Sequence, residues 1–202
     1  MKKFFHDYSY NIVKMFVNQF AISIFGVSLT LATTQAHIES SGFDTFTFVV
    51  SIFAVAFYLF LIYTLSWEIG AKDKISVDVG KKPYRPHLGI LLSLVANIPN
   101  ILAAILYTIA TLIKSESMMF VVRLAATLIQ GMYFGIITSV SFPVGETYVQ
   151  LNSLWPTFFI MVVPAMLTSW LAYYLGNKNF RIFAFFSKKP SPESSEQPKI
   201  KK

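Results

Sequence analysis

The chain has 202 residues, of which 54% are hydrophobic and only 13% are charged, and its formal net charge is +7. A soluble domain typically carries about 25% charged residues, so this composition is not that of an ordinary soluble protein. The lack of cysteine excludes disulfides, thiol catalysis and cysteine metal sites. The basic residues cluster at the ends of apolar runs, which indicates membrane topology rather than nucleic-acid binding, and no nucleic-acid partner is expected.

Five long apolar runs predict the fold. Each has roughly the 20 residues that a helix needs to cross about 30 Å of hydrocarbon. The runs are 12–33, 46–67, 87–113, 118–142 and 155–176. We therefore expect an all-α polytopic integral membrane helical bundle with four to five transmembrane helices. Residues 1–186 would form one membrane domain and the polar residues 187–202 a disordered cytoplasmic tail.

The first run follows a basic start, MKKFFHDYSYNIVK, and is too long for a typical signal peptide, so we interpret it as a retained helix. It contains Asn18 and Gln19. Adjacent helical residues point in different directions, which favours hydrogen bonds to neighbouring helices over one shared ligand. A contribution of both residues to a ligand site is the alternative.

The loop predicted at 68–86, after the second run, carries five basic residues and three acidic ones. Bases near a membrane surface attract anionic lipid or an acidic protein face, by about 1 kcal/mol each. The loop is therefore either a docking surface for a cytoplasmic partner or lipid, or a topology signal alone. The tentative docking residues are Lys72, Lys74, Lys81, Lys82 and Arg85.

The third run contains the sequence Asn97-Ile-Pro-Asn100 near its middle. Pro99 has no N–H and disfavours a regular helix, so the carbonyl of Val95 loses its usual partner. Asn97 and Asn100 are three residues apart and share a helix face. A broken backbone with two amides at mid-membrane predicts a solute or ion site. The alternative is a proline kink whose amides bond to neighbouring helices.

The fourth run carries Arg123, Thr127 and Gln130 at a spacing that places them on one helix face. The positive-inside rule places the N-terminal segment, the second loop and the tail all in the cytoplasm. Because this requires an even number of crossings, one run must fail to cross. Residues 118–142 are the best candidate, lying at the outer interface or re-entering, with five full spans as the alternative. Arg123 then either reaches headgroups or serves, with Gln130, a ligand site.

Tyr173 and Tyr174 close the fifth run, as aromatic anchors at headgroup level do. The segments NQFAISIFG, SLVANIPN and YYLGNKN resemble small uncharacterised polytopic membrane proteins of Gram-positive bacteria. That resemblance implies a bacterial plasma-membrane location and no catalytic residues. The chain is also similar, in size and basic start, to substrate-capture subunits of energy-coupling-factor vitamin transporters. Those have six helices and an A-x-x-x-A pattern in the first, where this chain has fewer runs and pairs Ala21 with Phe25.

Enzymatic motifs are not evident in the sequence. The ten acidic residues all lie outside the apolar runs, the three histidines lack H-E-x-x-H spacing, and there is no G-x-S-x-G or P-loop. We therefore expect no enzyme, no catalytic residue, no metal and no cofactor. The expected function is a small transporter or permease component, with a non-catalytic accessory or scaffold subunit as the alternative. Expected partners are the lipid bilayer, other membrane-protein subunits, or a cytoplasmic protein at the 68–86 loop.

Overall fold

The computed structural model describes residues 2–36, 45–144 and 147–180, and these are mostly helical. The helices are α1 (Lys2–Ala36), α2 (Thr45–Asp78), α3 (Leu88–Ala96), α4 (Ile98–Ile113), α5 (Glu116–Ile129), α6 (Phe134–Ser139), α7 (Trp155–Ile160) and α8 (Val163–Asn177). Short 3-10 turns cover Gly131–Tyr133 and Leu151–Ser153, and a hairpin pairs β1 (Ser141–Val144) with β2 (Thr147–Gln150). The tail predicted at 187–202 lies outside the described residues.

Helix length and hydropathy agree with the predicted helical bundle. Three stretches are long and apolar enough to cross a membrane, namely 4–33 in α1, all of α2, and Trp155–Asn177. Two further pairs pass the same test but are bent: α3 with α4 by 59°, and α5 with the segment Gly131–Ser139 by 91°. The described residues therefore offer three to five possible spans, which supports the all-α class.

The outside of the bundle is far more apolar than the surface of a soluble protein, although the interior also has a hydrophobic core. Large apolar residues such as Phe53, Leu112 and Ile160 are more than half exposed on the outside of the bundle, whereas Ser66 and Ser169 are fully buried between helices. Small polar residues at helix contacts and apolar residues outside are typical of helices packed in lipid. The surface is therefore compatible with membrane insertion.

The second loop is shorter than the sequence predicted. We expected it to begin at Glu68, but α2 continues without interruption to Asp78. The extra turns contain good helix formers, and Lys72 Nζ lies 2.6 Å from Glu68 Oε1, an i,i+4 ion pair. Gly80 ends this stretch at φ +74°, a conformation that glycine adopts without strain. Apolarity ends at Trp67, but helical structure does not.

The segment after the fourth run, predicted as a loop, contains β1 and β2. They pair antiparallel with Ser141 opposite Gln150 and Phe142 opposite Val149. The hairpin therefore includes the last two residues of the 118–142 run, which the sequence had placed in an apolar helix. It follows α6, and α6 packs near the start of α2 because Gly135 lies against Thr47.

Glycine and serine hold α2, α3 and α8 in close contact. A Cβ added at Gly70 would overlap the carbonyl of Tyr173, and one at Gly176 would overlap the carbonyl of Trp67. Ser169 Oγ lies 2.9 Å from Ser66 Oγ and 2.8 Å from the Gly89 carbonyl oxygen that it donates to. Small residues of this kind allow helix backbones to approach closely without a hydrophobic driving force.

The two bends flank a helical hairpin formed by α4 and α5. The first bend lies at Asn97, where the sequence predicted it from Pro99. The second lies at Gln130–Gly131, so the 118–142 run is not a straight span. α3 packs against α1 and α8, α6 packs against α1 and α2, and α4 packs mainly against α5 and α7. The hairpin thus lies beside the bundle that α3 and α6 help to form.

The start of α1, the end of α2 and the end of α8 meet at one end of the bundle. Tyr8 Oη donates to Asp73 Oδ2 at 2.7 Å, and Tyr173 Oη donates to the same oxygen at 3.2 Å. These contacts bring three helix ends, from α1, α2 and α8, to one side of the bundle.

Candidate functional site

Two groups of polar side chains lie inside the bundle, and they differ in position and chemistry. The first, the polar centre, lies between the two helix bends and consists of Tyr58, Ser93, Asn97, Asn100, Gln130 and Tyr133. The second, the carboxylate clamp, lies at the common end of the bundle and consists of Asp7, Tyr8, Asp73, Lys82 and Tyr173. The sequence predicted part of the first group and almost none of the second.

The first bend forms one half of the polar centre. Asn97 Nδ2 donates to the Ser93 carbonyl at 2.8 Å, and Asn100 Nδ2 donates to Asn97 Oδ1 at 2.7 Å. Both asparagines are 2% exposed. As the spacing predicted, they share a face, and their side chains contact each other directly. The Ser93 carbonyl thus accepts two hydrogen bonds from Asn97, one from its side-chain amide and one from its backbone N–H.

The second bend is held in place by hydroxyls from α1 and α2. Ser23 Oγ donates to the Leu128 carbonyl at 2.6 Å and accepts from the N–H of Gly131. Ser51 Oγ donates to the Met132 carbonyl at 3.0 Å and accepts from the N–H of Ile136 at 3.2 Å. Backbone groups freed by a helix break must find partners in a low-dielectric interior, and these two serines supply them.

Tyr58 of α2 connects the two bends. Its hydroxyl lies beside the Asn97 side chain, and its ring is close enough to Tyr133 for the two phenols to interact electrostatically. Tyr58 is 1% exposed, so this connection is internal. The two bends, 33 residues or more apart in sequence, therefore share one polar region.

Three atoms of the polar centre have no hydrogen-bond partner in the described part of the chain: Asn100 Oδ1, Gln130 Oε1 and Tyr133 Oη. The other end of the Gln130 amide donates to the Phe158 carbonyl at 3.3 Å. A buried polar atom without a partner costs roughly 1–3 kcal/mol, so such atoms are rare unless something else satisfies them. The polar centre therefore retains capacity to bind, mostly as an acceptor.

The carboxylate clamp, by contrast, is well satisfied. The Asp73 carboxylate accepts hydrogen bonds from the hydroxyls of Tyr8 and Tyr173. Lys82 Nζ lies 3.9 Å from Asp73 Oδ1 and 3.2 Å from Asp7 Oδ2. The same ammonium lies 4.8 Å from the centre of the Tyr8 ring, a cation–π contact. A cavity of about 40 Å³, close to the size of one or two water molecules, adjoins these groups.

The five predicted docking bases separate into two sets. Lys81, Lys82 and Arg85 line the small cavity of the carboxylate clamp. Lys72 instead pairs with Glu68 on the surface of α2, and Lys74 is half-buried on the same helix. The bases therefore lie in two different environments, and Lys82 pairs with Asp7 and Asp73 within the chain.

The remaining predicted site residues lie apart from both groups or at their edges. Gln19 is 2% exposed and Asn18 is half-buried, as expected for adjacent residues pointing in different directions. Arg123 lies in neither the polar centre nor the carboxylate clamp. It lines a separate groove of about 290 Å³ together with Thr127.

Sequence reasoning missed Asp73, Tyr8 and Tyr173. A signal for Asp73 was present, because Ser66, Ile69 and Gly70 precede it at helical spacing on the buried face of α2. Assigning Glu68 to a loop concealed that periodicity. The two tyrosines carry no local signal, since they lie 65 and 100 residues from Asp73 in sequence.

Comparison with known proteins gives no relative from which a role could be transferred. No protein-family model, curated protein or solved structure matches this chain. Its function must therefore be argued from the polar centre, the carboxylate clamp and the helices that position them.

Proposed function

We propose that this chain is an integral membrane protein that acts as a small transporter or permease component, with the polar centre as its solute site. The observation that carries the proposal is the meeting of two interrupted helices around buried polar atoms without partners. Interrupted helices whose breaks converge near the middle of a bundle are a recurring way to build solute and ion sites in transporters.

The chemistry of the polar centre narrows the solute class. Asn100 Oδ1 and Gln130 Oε1 are acceptors, and the Tyr133 hydroxyl can accept or donate. The six residues of the centre carry no carboxylate and no ammonium group. A small solute that donates hydrogen bonds, such as an ammonium ion or an amide like urea, complements this set best.

Access to the site requires movement. Asn97, Asn100 and Gln130 are each 2% exposed, and neither of the two cavities described above is lined by them. In this conformation the proposed site is closed to solvent. The bends themselves are the natural places for opening, because a broken helix can change its angle without breaking a continuous hydrogen-bond ladder.

Flux through proteoliposomes tests this proposal. The purified full-length chain should carry radiolabelled methylammonium or urea faster than protein-free vesicles. The Asn97→Leu, Asn100→Leu double variant should abolish that difference. Ser169→Ala is the matched control, because it removes a buried hydrogen-bonding group between α2, α3 and α8 but leaves the polar centre intact. It should lower thermal stability and keep the flux.

Two results would contradict the proposal. The first is a wild-type flux, for both probes, that equals the flux of empty vesicles. The second is a flux through the double variant that equals the wild-type flux when equal amounts of protein are reconstituted. Loss of folding in the double variant, seen by size-exclusion chromatography, would instead assign the two amides to helix packing.

The accessory or scaffold function is the second candidate, and one observation favours it. Lys81 and Arg85 are exposed at the edge of the carboxylate clamp and are available to an acidic partner. Replacing Lys72, Lys74 and Lys81 by Gln removes three charges without touching Lys82. A partner that co-purifies with the wild type should be lost from this variant and retained by the Asn97→Leu, Asn100→Leu variant. Recovery of the same partner by all three proteins would exclude docking through these bases.

A further inference from the structure

The groove beside α5 combines an apolar lining with one cationic group. It is bordered by α1, α5, α6 and the turn Leu151–Ser153, and its volume is about 290 Å³. The apolar lining residues are Val27, Leu31, Phe120, Leu124, Leu128 and Phe134, and the polar ones are Arg123, Thr127 and Asn152. The volume is near the lower limit of ordinary ligand pockets, roughly 300 Å³, so it suits a narrow ligand.

The lining is open to the outside of the bundle. Leu31, Leu124 and Leu128 are each about half exposed although they border the groove. Apolar side chains that are half exposed along a concave surface offer contact to a hydrocarbon chain along its length. The shape and the lining therefore fit an acyl chain better than a compact polar solute.

Arg123 supplies a positive charge that favours a ligand whose polar end is anionic. No acidic residue lines the groove, and within the described chain Arg123 forms no ion pair with a carboxylate. Its polar neighbour is the uncharged phenol of Tyr107. A guanidinium in an apolar setting binds a phosphate well, since its planar fork of donors matches two phosphate oxygens.

We propose that this groove is a binding site for one anionic phospholipid, with an acyl chain against α1 and α5 and its phosphate on Arg123. Thr127 and Asn152 are the other polar residues that line the groove beside Arg123. The site is independent of the polar centre, so it holds whether or not the chain transports a solute.

Photo-crosslinking in nanodiscs tests the proposal. The full-length chain is assembled with a trace of phosphatidylglycerol or phosphatidylcholine carrying a diazirine in the acyl chain, and adducts are mapped by mass spectrometry. The wild type should give adducts at 120–128 with phosphatidylglycerol at roughly tenfold higher yield than with phosphatidylcholine, the preference expected for one charge-assisted contact.

Three variants separate charge, groove and background. Arg123→Gln should reduce the phosphatidylglycerol yield to the phosphatidylcholine level, and Arg123→Lys should retain part of the preference. Leu124→Trp keeps the charge but fills the exposed groove, so it should lower the yield of both lipids. Lys114→Gln is the matched control, because Lys114 is exposed on the same α4–α5 hairpin and does not line the groove.

Several outcomes would overturn the proposal. Equal yields from the two lipids in the wild type would remove the anionic selectivity. A loss in Lys114→Gln as large as that in Arg123→Gln would show general charge attraction. Competition by millimolar inorganic phosphate or glycerol phosphate as strong as that by unlabelled phosphatidylglycerol would assign Arg123 to a free anion site instead of a lipid site. Circular dichroism and size-exclusion profiles matching the wild type are required of each variant, and Leu124→Trp provides an independent result if Arg123→Gln does not fold.

Discussion

The carboxylate clamp and the polar centre are both largely buried and polar, yet they differ in how far their polar groups are hydrogen-bonded. In the clamp, the Asp73 carboxylate on α2 binds two phenols, from α1 and α8, and lies near an ammonium from the following loop, which also pairs with Asp7. In the polar centre, all groups are neutral and three atoms lack partners in the described chain. A satisfied network fixes helices in place, whereas an unsatisfied one retains capacity for a ligand.

Removing the centre of the clamp should have the largest effect on stability. Asp73→Ala deprives Tyr8 and Tyr173 of their acceptor and leaves Lys82 with Asp7 alone. We expect a loss of about 3 kcal/mol or more in the free energy of unfolding, the usual scale for breaking a buried charged network. Denaturant titration in detergent measures it. Asp78→Ala, at the exposed end of the same helix, should cost little; equal losses for the two variants would refute the clamp as a structural element.

Filling the second bend should have the next largest effect. A Cβ at Gly131 would overlap the carbonyl oxygen of Ser23 and press on Val27, and the backbone of α1 cannot move aside as a flexible side chain can. Gly131→Ala should therefore cost about 2 kcal/mol, within the usual range for overpacking. Ala125→Leu, at an exposed position of α5, is the comparison and should change thermal stability only slightly. An undiminished melting temperature in Gly131→Ala would mean that the bend is wider than described.

A single hydroxyl of the clamp can be removed while its aromatic ring is kept. Tyr8→Phe takes one hydrogen bond from Asp73 and leaves that from Tyr173. The expected cost is about 1.5 kcal/mol, the lower part of the range for bonds to charged groups. Unfolding curves for wild type and variant, recorded in the same detergent, would measure it; a difference below about 0.3 kcal/mol would contradict the role assigned to Tyr8.

The same chemical change in the polar centre should have the smallest effect. The Tyr133 hydroxyl has no partner in the described chain, so Tyr133→Phe removes a polar atom that gains nothing from burial. The free energy of unfolding should fall by less than about 0.5 kcal/mol, or rise slightly. The pair Tyr8→Phe and Tyr133→Phe thus compares the two regions directly. A larger loss of unfolding free energy in Tyr133→Phe than in Tyr8→Phe would show that the polar centre only holds helices together. It would contradict the free hydrogen-bonding capacity assigned to that centre.

The backbone breaks were predictable because their causes are local. Pro99 removes a donor wherever it stands in a helix, and the structure bends at the adjacent Asn97. Arg123, Thr127 and Gln130 on one helix face predicted that the fourth run does not cross the membrane. The structure bends this run by 91°, which fits either a broken span or a re-entrant segment. The sequence could not give the direction of the chain after the bend, because Ser23 and Ser51 set it from other helices.

The clamp was not predictable for the complementary reason. Tyr173 was interpreted as an aromatic anchor at headgroup level, which is the common role of tyrosine at the end of an apolar run. Its hydroxyl binds Asp73, and that pairing depends on how α2 and α8 pack 100 residues apart in sequence. The extension of α2 to Asp78 was missed because hydropathy reports apolarity rather than helix propensity. The short hairpin at β1 and β2 was missed because Pro143 makes its first strand a poor match to strand patterns.

The reciprocal glycine contacts between α2 and α8 have a mechanical consequence. At Gly70 and Gly176 each helix lies against the other's backbone, so neither can rotate or slide without a collision of main-chain atoms. The pair thus behaves as a fixed frame, to which Gly89 and Gly135 also tie α3 and α6, and the part that the two bends leave free to turn against it is the α4–α5 hairpin. Spectroscopic labels on α2 and α8 would keep a constant separation and serve as the reference against which movement of the α4–α5 hairpin is measured.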